Sequence, residues 1–345
     1  MIFRAIAVVF LVGLGIAGYL HGLELITAFF QAHYQYLVLF LPLAGLILLN
    51  IEQSHLLEKV KYLKVILLNY ICHFFGASVG RESTAIHFGQ LLAQRISPNL
   101  KSLGAACAFS SAFGTPITAV FFPFEHDGSE IKSFKKYFLF YLATLSSYSV
   151  TVYLGSHDFH KPPILVNEWQ WHFVTLNLVL VIMVLLYALI LHGFKKIRAL
   201  IGNPKMIFFG GSLVALTTLL LQNPRWNGTG SWIVTESFNT NLSWYDAIIK
   251  MALTAISVGS GFVGGEVVPL MAVGSSLGNW VGHYLGLPSA TAAALGFALF
   301  FSFRLNILLT GFVFTFEFFG PYVALFSLPA FLFLKFFRLR FAKYF

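Results

Sequence analysis

Charged side chains are scarce in this chain. Asp, Glu, Lys and Arg make up 10% of its 345 residues, against roughly a quarter in soluble domains, which excludes a solvated globule, a charged disordered chain and a coiled coil. Acid is the scarcer sign: 13 Asp and Glu stand against 22 Lys and Arg, a formal charge of +9. The basic residues gather in short connections and form no groove with aromatic partners. That distribution gives nucleic-acid binding little support and reads as membrane topology with possible use in attracting anions. Cysteine is limited to Cys72 and Cys107, both in apolar runs without metal-ligand spacing, so buried thiols are expected and no metal site. Walker-type phosphate loops, serine-nucleophile elbows and metal-binding spacings are missing as well, so the chain is read as a non-enzyme without a cofactor.

What the chain has in quantity is apolar length: 58% of residues are hydrophobic, 17% aromatic. Stretches able to cross roughly 30 Å of hydrocarbon recur along it, and no polar segment is large enough for a separate soluble domain. The expectation is one all-α polytopic membrane domain over residues 1–345. Ile2–Leu20, with the single basic residue Arg4 and no persuasive cleavage site, is read as a first span instead of a signal peptide. Basic clusters at Lys59, Lys61 and Lys64, at Lys132, Lys135 and Lys136, at Lys195, Lys196, Arg198 and Lys205, and at Lys335, Arg338, Arg340 and Lys343 mark the cytoplasmic side of an inner membrane, with both termini there. Opposite-side loops are expected at 21–35, 155–169 and 222–244, and plain crossings at Tyr36–Ile51, Tyr137–Leu154, Trp171–His192 and Ile207–Leu221.

Residues 65–125 and 246–317 do not fit plain crossings, because glycine and charge interrupt them. Such breaks at membrane depth are tolerated only where they line a protein cavity. The two regions also resemble each other. Leu103–Glu125 aligns without a gap onto Leu295–Glu317, with identities that include Gly104/Gly296, Ser110/Ser302, Thr118/Thr310 and Glu125/Glu317. VGRE (Val79–Glu82) likewise answers to VGGE (Val263–Glu266). Glu125 abuts the basic loop 127–136, whereas the apolar run Pro321–Leu334 separates Glu317 from the basic tail, so the copies are expected to point in opposite directions. Inverted repeats with broken or re-entrant helices place a transporter's substrate site at the repeat interface. The repeats are drawn at about 36–136 and 207–335, joined by spans within 137–206.

The segment Gly76–Gln94, GASVGRESTAIHFGQLLAQ, has the composition of an anion site. Gly80 permits a tight turn, Arg81 and Glu82 put a charge pair into an apolar run, and Ser83 can begin a helix. Bare N–H groups at a helix N-terminus favour an anion or a carboxylate at the same spot. Glu82 is therefore read as a tethered competitor of a permeant anion, a gate and a proton carrier; the plain alternative is a structural ion pair with Arg81. Gly259–Gly278 supplies the second tip: Gly264 and Gly265 free the backbone, Pro269 suits a first helical turn, and the amides of Glu266, Val267 and Val268 would face the same ion. A weaker glycine turn lies at Asn227–Trp232.

These segments resemble the CLC family of chloride channels and chloride/proton antiporters. GRESTAIHFG is similar to that family's GRExP-type gate segment, FGTPITAVFFPFE to its GTPLAG-type helix, and GSGFVGGEVVPL to its GKFxGG-type anion loop; GGEVVPL and LGNWVG are most similar to the bacterial fluoride/proton branch. The resemblance covers approximately 65–335. It implies a homodimer with one pore per subunit, a halide and a proton as cargo, Glu82 as gating glutamate, Thr115, Tyr322 and Phe331 as candidate pore-lining residues, and Glu125 and His126 as candidate proton relays. Helix capping is the alternative for Glu125, as for Glu317, and a surface position for His126. The sequence departs from the pattern in four places. Val268 replaces the branch's threonine, Phe331 the expected tyrosine, and Ser83-Thr84 the usual residues after the gate. No first-half anion loop is found before Tyr62. Coupled halide/proton exchange is the expected activity, with a passive anion channel and a non-transporting scaffold as rivals.

Overall fold

The computed structural model describes residues 2–128, 133–155, 170–305 and 307–341. Fifteen α-helices run through them. The chain begins with α1 (Ile2–Leu37), α2 (Leu41–Gln53), α3 (Lys61–Phe74), α4 (Glu82–Ile96), α5 (Lys101–Phe113), α6 (Pro116–Asp127) and α7 (Phe134–Tyr153). Then follow α8 (His172–Ile201), α9 (Asn203–Leu221), α10 (Ser231–Asn239), α11 (Trp244–Ser260), α12 (Val267–Tyr284), α13 (Ser289–Leu305), α14 (Leu308–Phe319) and α15 (Pro321–Phe341). Among the described residues there is no strand, only one isolated antiparallel bridge between Gly80 and Gly265. Three helical stretches, Ile2–Gln53, His172–Ile201 and Asn203–Leu221, are long and apolar enough to cross a membrane as they stand. The expected crossings at Tyr137, Trp171 and Ile207 correspond to α7, α8 and α9.

Two expected loops are corrected. Residues 21–35 are helical: α1 runs on to Leu37 with a kink at His33 (φ −126°, ψ 18°), because the segment LELITAFFQ offers no helix breaker and buries Leu23 and Phe30. The connection after Leu221 contains α10, whose N-cap is Gly230 in the left-handed region (φ 74°). The crossing at Tyr36–Ile51 is divided between the end of α1, a 3₁₀ turn at Val38–Phe40 and α2. Residues 156–169 with Lys161, and Lys132 and Lys343, lie outside the described residues.

The internal duplication has a physical counterpart at α6 and α14. Glu125, near the C-terminus of α6, accepts hydrogen bonds from the amides of Leu309 (2.9 Å) and Thr310 (2.6 Å) in the first turn of α14. Glu317, near the C-terminus of α14, accepts from the amides of Ile117 (3.0 Å) and Thr118 (2.7 Å) in the first turn of α6, and from the Thr118 hydroxyl (2.6 Å). Each helix thus caps the other, which requires that they lie antiparallel and that the aligned copies run in opposite directions. Orphan first-turn N–H groups and a carboxylate satisfy one another at both ends. Aligned phenylalanines repeat the relation: Phe109 stacks on Phe122 (4.8 Å) as Phe301 packs on Phe314 (4.4 Å), and Phe109 meets Phe301 at 6.2 Å.

Within each repeat a pair of helices crosses on glycine. A Cβ at Gly104 of α5 would strike the Gly89 carbonyl of α4, and one at Gly296 of α13 would strike the Gly274 carbonyl of α12. Lipid supplies no hydrophobic drive between helices, so close backbone contact at small residues does that work. The crossings hold α4 and α12, whose N-termini carry the candidate site, rigidly in the centre of the molecule.

Candidate functional site

The two glycine tips meet. Gly80 N–H donates to the Gly265 carbonyl, and Gly265 N–H donates back to the Gly80 carbonyl at 3.0 Å. The approach leaves no space for side chains: a Cβ at Gly80 would lie 2.9 Å from Pro269 Cδ, one at Gly265 would run into Ser83 Oγ, and one at Gly264 would lie 2.7 Å from Val79 Cβ. This is the tertiary reason for glycine at these positions, which backbone freedom alone does not explain. Arg81 and Glu266 stand at the N-cap positions of α4 and α12, so the first-turn amides of both helices open beside the bridge. Val267, Val268 and Pro269 form the first turn of α12, and all three are buried.

Glu82 is the first residue of α4 and has no exposed surface. Its Oε1 accepts from Arg81 Nε at 3.0 Å and its Oε2 from the Arg81 backbone amide at 3.2 Å. The carboxylate therefore lies on an N–H at the helix tip, the kind of position an anion would take. Arg81 is 3% exposed and also lines a cavity of about 190 Å³ together with Glu24, Gln31, Thr229 and Ser231. Glu266 is buried and accepts a 2.5 Å hydrogen bond from Tyr187 of α8.

The other expected site residues fall in several places. Thr115 is fully buried, and its hydroxyl has no hydrogen-bond partner among the described residues, which leaves it as a candidate lining group. Phe331 packs edge-to-face on Phe312 within the bundle, and Tyr322 is 52% exposed on α15; among the described residues no hydrogen bond or ring contact joins either to the tips. Glu125 caps the first turn of α14, accepting from the Leu309 and Thr310 amides. His126 is exposed, beside the Phe122 ring. Where a first-half anion loop was not found, α2 ends at Gln53 and a 3₁₀ segment follows. Lys64 Nζ pins that break by donating to the Glu52 carbonyl (2.6 Å) and the Ser54 carbonyl (3.1 Å).

Four side chains at the tips escape a reading of the sequence. Asn69 of α3 donates to the Gly80 carbonyl (3.1 Å) and the Val263 carbonyl (3.4 Å), tying the two tips together. Tyr19 of α1 donates to Asn69 Oδ1 (2.6 Å) and reaches the Arg81 carbonyl (3.2 Å). Tyr187 supports Glu266, and Lys250 supports the loop behind Gly80. A single polar residue in an apolar run was the available signal for each, and for Lys250 it was an ionisable one.

Antiparallel repeats of broken helices, their N-terminal tips joined at the centre of an apolar bundle, define a polytopic membrane protein of the inverted-repeat class. More narrowly, the chain belongs to the voltage gated chloride channel family, whose family model matches residues 48–334. It is 29% identical over 303 residues to a chloride/fluoride channel protein of Pseudomonas syringae pv. tomato, an alignment covering 80% of this chain and 67% of that one. It is 27% identical over 282 residues to an uncharacterized protein of Methanocaldococcus jannaschii, covering 71% and 66%. Among solved structures it resembles a CLC-type fluoride/proton antiporter (TM-score 0.85, 26% identity, 97% of this chain and 94% of that one). It also resembles a slow cyanobacterial Cl⁻/H⁺ antiporter (TM-score 0.76, 17% identity, 97% and 93%), a likeness of fold.

Proposed function

We propose that this protein exchanges a halide for protons across the membrane, with fluoride as the first candidate and Glu82 as the protonatable gate. The observation that carries the reading is the bridge between Gly80 and Gly265 with the buried Glu82 carboxylate lying on a tip amide. A charged carboxylate there occupies an anion's place; a protonated one gives up its attraction to the amides and Arg81 and yields to the ion. Arg81, Ser83, Gly80, Gly264, Gly265, Glu266, Val267 and Val268 surround that place. The cavity lined by Glu24, Arg81 and Thr229 adjoins that place at Arg81 and would serve as an entry for ions. The chain lies in the inner membrane with both termini cytoplasmic, as one domain of two inverted repeats, and works as a homodimer. Fluoride is favoured because the second tip reads GGEV and relatives described as handling fluoride share the fold.

Proteoliposomes loaded with fluoride or chloride test the reading. An imposed pH gradient should drive uphill anion flux, and Glu82→Gln should abolish that coupling while leaving downhill flux, because the amide resembles the protonated acid. Unchanged coupling in Glu82→Gln removes Glu82 from the mechanism. Downhill flux that no pH gradient can drive uphill makes the protein a channel, and no anion flux at all ends the transport reading.

A further inference from the structure

A second cavity, of about 620 Å³, is lined by α1, α7 and the segment leading into α5, with Phe124 of α6 at its side, and shares no residue with the tips. The three helices run the same way. Cys107 and Ser111 of α5 meet the Ala143 carbonyl (3.8 Å) and the Ser147 hydroxyl (2.9 Å) of α7, in step along both chains. Thr151 of α7 donates to the Gly13 carbonyl of α1 (3.3 Å), and the cavity lies on the N-terminal side of that contact on both helices. Counting back equally along the two sets Ile2 level with Lys136. One end of the groove is therefore where α1, α5 and α7 begin and α6 ends. The other lies roughly 12–15 Å further along the helices, at Val9, Phe10 and Leu142.

The polar groups are divided unequally between these ends. Asn99, Ser102 and Lys136 stand at the helix starts, whereas the deep walls are apolar and the Ser146 hydroxyl there is taken up by the Leu142 carbonyl (2.7 Å). Lys136 is exposed and is the charged member of the lining, which holds no acid. Ile6, Phe10, Leu139 and Leu142 are exposed along the edge, so the groove opens sideways to hydrocarbon. That is the polarity of a phospholipid in one leaflet, with a tail at depth and a phosphate at the rim. A helix, about 10 Å across, would need roughly 900 Å³ over this length, more than the groove has. A non-helical segment would bring N–H and C=O groups that the deep walls leave unpaired; an acyl chain brings none. We propose that this groove binds an anionic phospholipid, one acyl chain lying between α1 and α7 and the headgroup phosphate at Lys136. With both termini cytoplasmic, as proposed above, that is the cytoplasmic leaflet, whose anionic lipids attract basic residues. The assignment of lipid to groove needs only the cavity and its charge.

The test is native mass spectrometry of the full chain in dodecyl maltoside, titrated with dioleoyl phosphatidylglycerol or dioleoyl phosphatidylcholine. Wild type should bind phosphatidylglycerol about fivefold more tightly, the share of one lysine at an anionic surface. Lys136→Gln should bring the two lipids to within about twofold of each other, and Lys136→Arg should keep the preference. Ser146→Phe puts a ring into the deep end and should weaken both lipids alike by about tenfold or more, which the displacement of two methylenes suffices to cause. Lys205→Gln, at a different basic connection, should change nothing. Equal binding of the two lipids by wild type, or an unchanged preference in Lys136→Gln, overturns the inference. The same loss in Lys205→Gln overturns it too, as diffuse surface attraction, and so does unchanged binding in Ser146→Phe. If that variant alters the mass by light scattering while both lipids stay bound, a second copy of the chain fills the groove and the lipid assignment falls. Should Ser146→Phe fail to fold, the three lysine variants decide alone. None of these readouts involves anion flux, so they stand apart from the transport reading.

Discussion

At the scale of single residues, the tips are held by side chains from neighbouring helices. Asn69 carries most of this: its amide serves one carbonyl from each repeat while Tyr19 serves Asn69. Removing it leaves the Gly80 and Val263 carbonyls buried without that donor, a cost of about 1–3 kcal/mol. Asn69→Ala should therefore lower the thermal midpoint in detergent and slow flux together, whereas Tyr19→Phe, which spares the Asn69 amide bonds, should do less of both. An Asn69→Ala protein as stable and active as wild type would show that the tips hold without it. Tyr187→Phe should cost about 1.5–3 kcal/mol, the range for a hydrogen bond to a charged group, since Glu266 would lose its 2.5 Å donor; unfolding measured in the same detergent checks the figure.

At the scale of elements, the helices are organised by close approach and reciprocal capping. Gly104→Val should yield no monodisperse folded protein on size exclusion, because Gly89 backbone and Ala93 stand where the side chain would go. Gly18→Ala is the matched control: a Cβ at Gly18 meets nothing within 4 Å, so its elution should be unchanged. The two caps predict a similar contrast. Glu125→Gln and Glu317→Gln should each destabilise by about 0.5–2 kcal/mol, through loss of a charged cap. Glu317→Gln should cost the more, since that carboxylate also holds the Thr118 hydroxyl. Equal insensitivity in both would mean the antiparallel α6–α14 pair stands without its carboxylates.

At the scale of the whole molecule, apolar side chains cover much of the outside as well as the core: Phe3, Tyr153, Leu200 and Leu220 are all largely exposed. A bilayer is the solvent in which that surface is stable. The homodimer proposed above predicts that light scattering on protein purified in mild detergent gives twice the 38.4 kDa chain mass, detergent subtracted. A single chain mass across the accessible protein concentrations would reject it.

Much of this architecture was readable from residues alone, and for physical reasons. Hydrophobic length and charge scarcity determine the solvent; a gapless match from Leu103 to Glu125 reveals a duplication; charge asymmetry around its two copies sets their opposite direction; glycine next to buried acid marks the tips. Composition did not mark the end of α1, because helix continues through 21–35 wherever no breaker stops it. Nor did it reveal which helix Glu125 caps, since an acid at a helix end carries no mark of the amides it will face. Only the folded chain decided that Glu125 reaches Leu309, that Asn69 spans both tips, and that the Lys250 ammonium backs Gly80 through Ser78. Those contacts join residues more than 170 positions apart, and such pairings depend on how helices cross, which no local preference of the sequence encodes.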